Sequence, residues 1–226
     1  MGRTFFAGLF LVAACGSDGT SSTPTGPGPA LGQSETGQAT YYDATGAGSC
    51  SFDASPSDLD VAAMNQVEFA NSAVCGECVH VVGPKGDVTV RIVDQCPGCA
   101  KGALDLSAEA FAKIADPSAG RVPITWQVVA CGVQGPIQYH FKDGSSQWWT
   151  AIQIRNHRVP VTKVEVKKAG GAWTDVGRVD YNYFVVSGGV GSGAFGVRVT
   201  GQTGSVVEDS IPSVTADATL AGAGQL

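Results

Sequence analysis

Val90-Arg-Ile-Val-Asp94-Gln-Cys96-Pro-Gly-Cys99-Ala-Lys-Gly102-Ala-Leu-Asp105-Leu-Ser107 decides the reading of this chain. Its first half alternates like a strand with Asp94 at the end, and the chain then turns through Cys96-Pro-Gly-Cys99. A second carboxylate, Asp105, stands just ahead of a helix predicted over Ala108–Ala115. Ser107 is a good N-cap for it, and Leu106 and Phe111 fall at the N′ and N4 staple positions. Two acids are thus placed on either side of a stapled loop. Paired acids on rigid elements suit work on sugar polymers, where one group donates a proton or hydrogen bond to a glycosidic oxygen. The plainer reading is local: Asp94 ends a strand and Asp105 favours a helix N-terminus.

Composition extends this outward. Of 226 residues 31 are Gly, and only 15% are charged. Many short Val, Ile and Thr runs between Gly and Asn/Asp turns predict mostly β structure. The apolar content suffices for two cores in domains of about 100 residues each. A net charge of −6 argues against nucleic acid or a strongly anionic polymer as main partner and is compatible with a neutral polysaccharide.

The N-terminus reads as a targeting segment over residues 1–15. A short basic start, Met1-Gly-Arg3, precedes the apolar run Thr4 to Ala14, too short to span a bilayer. Val12-Ala-Ala-Cys15 resembles a bacterial lipoprotein signal with Cys15 as the lipidated residue; an ordinary secretory signal is the alternative. Residues 16–36, rich in Gly, Ser, Thr and Pro, read as a flexible tether, and residues 213–226 as a loose tail.

Setting Cys15 aside leaves six Cys, all between Cys50 and Cys131. Cys75-x2-Cys78 followed by Cys96-x2-Cys99 has zinc-ribbon spacing, but export and an even count favour three disulfides and no metal. A Cys96–Cys99 ring is so short that loop entropy gives it about 2 kcal/mol, against about 3.5–4 for long-range bridges. Its value is local, in fixing the loop between the two carboxylates.

Residues 37–133 hold these six Cys and both acids, and Gln134-Gly-Pro136 is a breaker-rich joint. Beyond it, short alternating strands separated by turns over residues 137–212 predict a β-sandwich. Gln147-Trp148-Trp149-Thr150 and Asp180-Tyr181-Asn182-Tyr-Phe184 stand out there. Flat rings stack on pyranose faces, yet neighbours on a regular strand face opposite ways. Trp148 and Trp149 share a surface only at a strand end or bulge, and on periodicity alone one of them belongs to the core. Trp126 reads as core and Trp173 as packing a hairpin.

The mature chain resembles a bacterial expansin. The resemblance rests on Gly37-Gln-Ala-Thr-Tyr41, Cys75-Gly-Glu-Cys78, Gly83-Pro-Lys-Gly86 and Gly102-Ala-Leu-Asp-Leu-Ser107. In the second half it rests on Lys142-Asp-Gly-Ser-Ser-Gln-Trp-Trp149, Ile152-Gln-Ile-Arg-Asn-His157 and Asp180-Tyr-Asn182. It implies a mainly β fold, a six-stranded double-psi β-barrel followed by an immunoglobulin-like carbohydrate-binding β-sandwich. It implies a polysaccharide groove of Thr40, Asp94 and Asp105 and a cellulose platform of Trp148, Trp149 and Tyr181 with Lys142 nearby, which overrides the core reading of the Trp pair. The pairing Cys50–Cys75, Cys78–Cys131 and Cys96–Cys99 is likewise what the resemblance implies. So is an extracellular, monomeric protein that loosens walls without hydrolysis, uses no cofactor, and binds cellulose and matrix glucans such as xyloglucan.

Two departures qualify this. The family often has an aromatic two residues after the first groove Asp, where this chain has Cys96. Asp43 stands where related inverting glycoside hydrolases carry a catalytic base. It reopens an endoglucanase or peptidoglycan-cleaving enzyme on the same barrel, with Asp105 as acid; a plain surface-loop role is the alternative for Asp43. As an inverting pair, they need about 6.5–9.5 Å between carboxyls.

Overall fold

The computed structural model describes residues 1–2 and 27–226. The predicted signal segment, Cys15 and the start of the tether therefore lie outside the described residues.

The first domain runs through β1 (Ala30–Tyr42), β2 (Val61–Asn65), α1 (Gln66–Phe69), β3 (Cys78–Val82), β4 (Asp87–Cys96), β5 (Leu104–Ser107), α2 (Ala108–Ile114) and β6 (Val122–Val129). Its six strands close a barrel in the order β1-β5-β2-β4-β3-β6. Two pairs are parallel, β1 with β5 and β2 with β4, and the others are antiparallel. This is a double-psi β-barrel. Val61, Val79, Val90, Ile92, Leu104, Leu106 and Phe111 are wholly buried in its core. Ser107 caps α2 by accepting the Ala110 N–H, and Leu106 and Phe111 are both buried beside the cap. Trp126 is core, with its Nε1 donating to the Gly102 carbonyl at 2.8 Å.

The second domain is a sandwich of two four-stranded sheets. Its strands are β7 (Gln138–Phe141), β8 (Thr150–Arg155), β9 (Val161–Lys167), β10 (Trp173–Val176), β11 (Phe184–Val186), β12 (Phe195–Gly201), β13 (Val206–Ile211) and β14 (Thr219–Ala221). One sheet has the order β10-β9-β12-β13 and the other β11-β8-β7-β14. Alternation is clear on β12, where Phe195, Val197 and Val199 face the core and Arg198 faces out.

Two boundaries differ from the sequence reading. The tether does not extend to residue 36, because β1 begins at Ala30 and pairs Ser34–Thr36 with Thr125–Gln127 of β6. Its side chains there are polar and outward, so only the backbone ladder marks it as a strand. Nor is the segment after residue 213 loose. β14 completes the edge of β7, Leu226 is buried, and Gln225 donates to the Gly135 and Asn156 carbonyls. β10 was also not legible as a strand; Trp173 on it lies under the Arg198 guanidinium at 4.0 Å.

The domains meet across a bonded seam. Arg178 of the sandwich donates to the Ser72 and Ala73 carbonyls of the barrel at 2.8 and 2.6 Å, and Ser72 Oγ donates back to the Val179 carbonyl. Arg155 pairs with Asp53 at 2.7 Å. His157 packs so tightly on Gly76 that a Cβ there would lie 2.6 Å from its ring.

Candidate functional site

The candidate groove centres on the parallel contact of β1 with β5, which sets Thr40 directly opposite Asp105. Thr40 Oγ1 donates to Asp105 Oδ1 at 2.5 Å, fixing one carboxylate oxygen and leaving the other without a partner among the described residues. Asp94, at the end of β4, does not hold Asp105. Its Oδ1 accepts the backbone N–H groups of Ser49 and Gln95 at 2.7 and 2.8 Å, so it anchors the loop after β1. Gly48 is needed there, since a Cβ would sit 2.4 Å from the Asp94 carboxyl carbon.

Asp43 is exposed, one residue beyond β1, where the Ala44 N–H turns back to the Tyr42 carbonyl. It makes no hydrogen bond or ion pair with any described residue. Tyr41 faces α2, its ring tilted 46° against Phe111 at 4.9 Å, whereas Thr40 and Tyr42 share the other face of the strand.

Tyr42 is the groove residue that sequence reasoning missed. Its hydroxyl is buried and has no hydrogen-bond partner among the described residues. Burial, reinforced by the Asp94 and Asp105 carboxylates, pushes its pKa well above the usual tyrosine range. The available signal was its spacing of two from Thr40, which puts both on one strand face.

Cys96-Pro-Gly-Cys99 closes its own bridge between the two acids, and the pairs Cys50–Cys75 and Cys78–Cys131 also form. All six cysteines from Cys50 to Cys131 are consumed, which leaves none of these thiolates for zinc.

The aromatic surface lies on the sandwich. Trp148 is 73% exposed on a turn just before β8, Trp149 is half-buried, and Tyr181 is exposed. The pair sits at a strand end, the exception to alternation. Ser146 donates its N–H to the Trp149 carbonyl at 2.6 Å and closes this turn, and Gly191 donates to the Gln147 carbonyl behind it. Gly189, at φ +61°, lies against the same turn, and a Cβ on it would meet the Gln147 oxygen at 2.0 Å. Lys142 stands at the start of the segment, its backbone N–H on the Ala151 carbonyl.

Tyr181 is tied to the barrel through its neighbour. Asn182, buried and at φ +63°, and Gln153 both donate to the Cys50 carbonyl, at 3.1 and 2.9 Å. Cys50 follows Ser49, the residue held by Asp94. Groove loop and aromatic loop therefore meet at one point.

A family model described as lytic transglycolase matches residues 34–126, the barrel alone. Over 183 residues the chain is 42% identical to Expansin-YoaJ of Bacillus subtilis, covering 79% of this chain and 78% of that protein. The crystal structure of the Clavibacter michiganensis expansin matches with a TM-score of 0.78 at 34% identity, covering 85% of this chain and 98% of the other. A mutant of that expansin in complex with cellohexaose matches with a TM-score of 0.79 at 32% identity and the same coverage. With this identity over both domains, the chain belongs to the expansin family.

Proposed function

We propose that this protein loosens plant cell walls without hydrolysis. What supports the reading is the link at Cys50 between the loop carrying the exposed Tyr181 and the loop that Asp94 holds, with exposed Trp148 and half-buried Trp149 on the same domain as Tyr181. The aromatic face docks on cellulose, because flat rings bury large area with few rotamers to freeze. The groove then grips an adjacent glucan, cellulose or a matrix glucan such as xyloglucan. Asp105, held by Thr40, offers its open oxygen to sugar hydroxyls. A carboxylate acceptor makes a bond of about 1.5–3 kcal/mol, against about 0.5–1.5 for the neutral bonds between glucans, so it displaces them. Chains slip and no covalent bond breaks. The relative crystallised with cellohexaose supports a glucan as ligand.

The basic-apolar start and Val12-Ala-Ala-Cys15 support export with Cys15 as a lipid attachment site; in this reading the domains act outside the cell as a monomer. No cofactor takes part in this reading.

The test is creep of a clamped, heat-inactivated wall strip, run beside a reducing-end assay on amorphous glucan. Extension without new reducing ends is expected. Reducing ends that accumulate with time would replace this reading with an endoglucanase, and fragments released from peptidoglycan would replace it with a peptidoglycan-cleaving enzyme.

A further inference from the structure

We propose that the Cys96–Cys99 bridge is a site of thiol–disulfide exchange through which a dithiol loosens the groove loop. Its two sulfurs belong to half-exposed residues, with Pro97, Gly98, Ala100 and Lys101 exposed around them. The other four cysteines are buried, at 0, 2, 8 and 3% exposure for Cys50, Cys75, Cys78 and Cys131. Exchange requires a thiolate to reach a sulfur, so among the described residues this is the bridge open to attack.

What the bridge holds is equally specific. The far end of the loop is pinned independently: Gly102 donates its N–H to Glu68 Oε2 at 2.9 Å and accepts from Trp126 Nε1, while the Ala103 carbonyl accepts from Asn65. Residues 97–101 have no such side-chain anchor among the described residues, and the Cys99 N–H to Cys96 carbonyl bond of 3.2 Å is inside the ring itself. Opening the ring therefore frees residues 97–101, while Asp94, Gln95 and Cys96 stay paired with β2 and Asp105 stays in its strand.

The chemistry balances with a dithiol as co-reactant. One thiolate of the dithiol attacks one protein sulfur, a mixed disulfide forms, and the other protein sulfur leaves as a thiolate. The second thiol of the reagent then attacks the mixed disulfide and releases the first protein sulfur. Two protein thiols and one cyclic reagent disulfide result, and two electrons and two protons pass to the protein.

The experiment titrates the oxidised protein with dithiothreitol, alkylates at each step and maps the labelled cysteines by mass spectrometry. Hydrogen exchange is followed at the same steps. Cys96 and Cys99 should label together, at no more than a tenth of the dithiol concentration that opens the buried pairs. In that state the Cys99 amide should exchange at least tenfold faster, with Gln95 and Gly102 unchanged. The double variant Cys96→Ser, Cys99→Ser should show the same fast exchange and no response to dithiol. Labelling of all six cysteines at one concentration would overturn the inference. So would unchanged exchange at Cys99 after selective reduction. Wall extension is a further arm that rests on the proposed function: it should fall severalfold on selective reduction and return on reoxidation. If the oxidised protein extends no wall, the functional reading fails, while labelling and exchange still decide this inference.

Discussion

Asn182 donates its side-chain amide to the Cys50 carbonyl at 3.1 Å, joining the aromatic face of one domain to the groove loop of the other. The bond matters because of what flanks it. Tyr181 precedes Asn182, and Ser49, held by the Asp94 carboxylate, precedes Cys50. In the proposed function this bond keeps a glucan docked on the rings and a strand in the groove at a fixed offset. Displacing one chain against another needs such a frame, since two freely jointed binders would follow the polymers instead of separating them.

Trp148→Ala should weaken adsorption to cellulose by about 1–3 kcal/mol, taking base–aromatic stacking as a rough guide. The ring is 73% exposed, so stability should stay within about 0.5 kcal/mol of the parent. Depletion isotherms on crystalline cellulose, with thermal unfolding as control, check both. Unchanged adsorption would return the ring to an ordinary surface residue.

Tyr42→Phe should have opposite effects on stability and on loosening. A buried hydroxyl without a partner costs about 1–3 kcal/mol, so its removal should stabilise the fold by about 1 kcal/mol. The group lies among the groove carboxylates, and wall extension should fall while cellulose adsorption holds. Urea unfolding and creep on the same preparation decide the matter; a destabilised variant would show that the hydroxyl is bonded in solution.

Two buried groups at the seam set an unusual pH dependence. Burial, partly offset by Arg178, pushes Glu77 from 4.5 up to about 7, so its contribution to stability is lost as pH rises from 4.5 through 7. Burial, with Arg178 adding to it, pushes His157 from 6.5 down to about 4, so its contribution is lost as pH falls from 6.5 through 4. Each shift corresponds to about 3 kcal/mol, and between pH 4.5 and 6.5 the two oppose and largely cancel. Glu77→Gln removes one side of the balance. Its urea midpoints should drop steadily from pH 6.5 to 4 where the parent's stay nearly level. Parallel curves for the two proteins would rule out a buried, protonated Glu77.

The barrel was legible because its decisive segment is local: alternation up to Asp94, the Cys96–Cys99 turn and the Ser107 cap all lie within 18 residues. Six of the eight sandwich strands were legible from alternation and turns. Ala30–Thr36 and Thr219–Ala221 were not, because their strand character comes from a partner's open backbone edge and their side chains carry no period. The roles of Asp94 and Asn182 were hidden for a related reason. Each acts on a backbone group distant in sequence, Ser49 N–H and the Cys50 carbonyl, and no spacing encodes that. Tyr42 was within reach through strand alternation from Thr40, but its motif neighbours drew the reading toward carboxylates.

The most direct test of non-hydrolytic loosening is wall creep by Asp105→Asn and Asp43→Asn beside the parent, with cellulose adsorption and reducing ends measured on the same samples. Asp105→Asn should lose extension and keep full adsorption, Asp43→Asn should extend walls nearly as well as the parent, and no protein should generate reducing ends. Reducing ends from the parent that vanish in Asp43→Asn, or full extension by Asp105→Asn, would contradict the account.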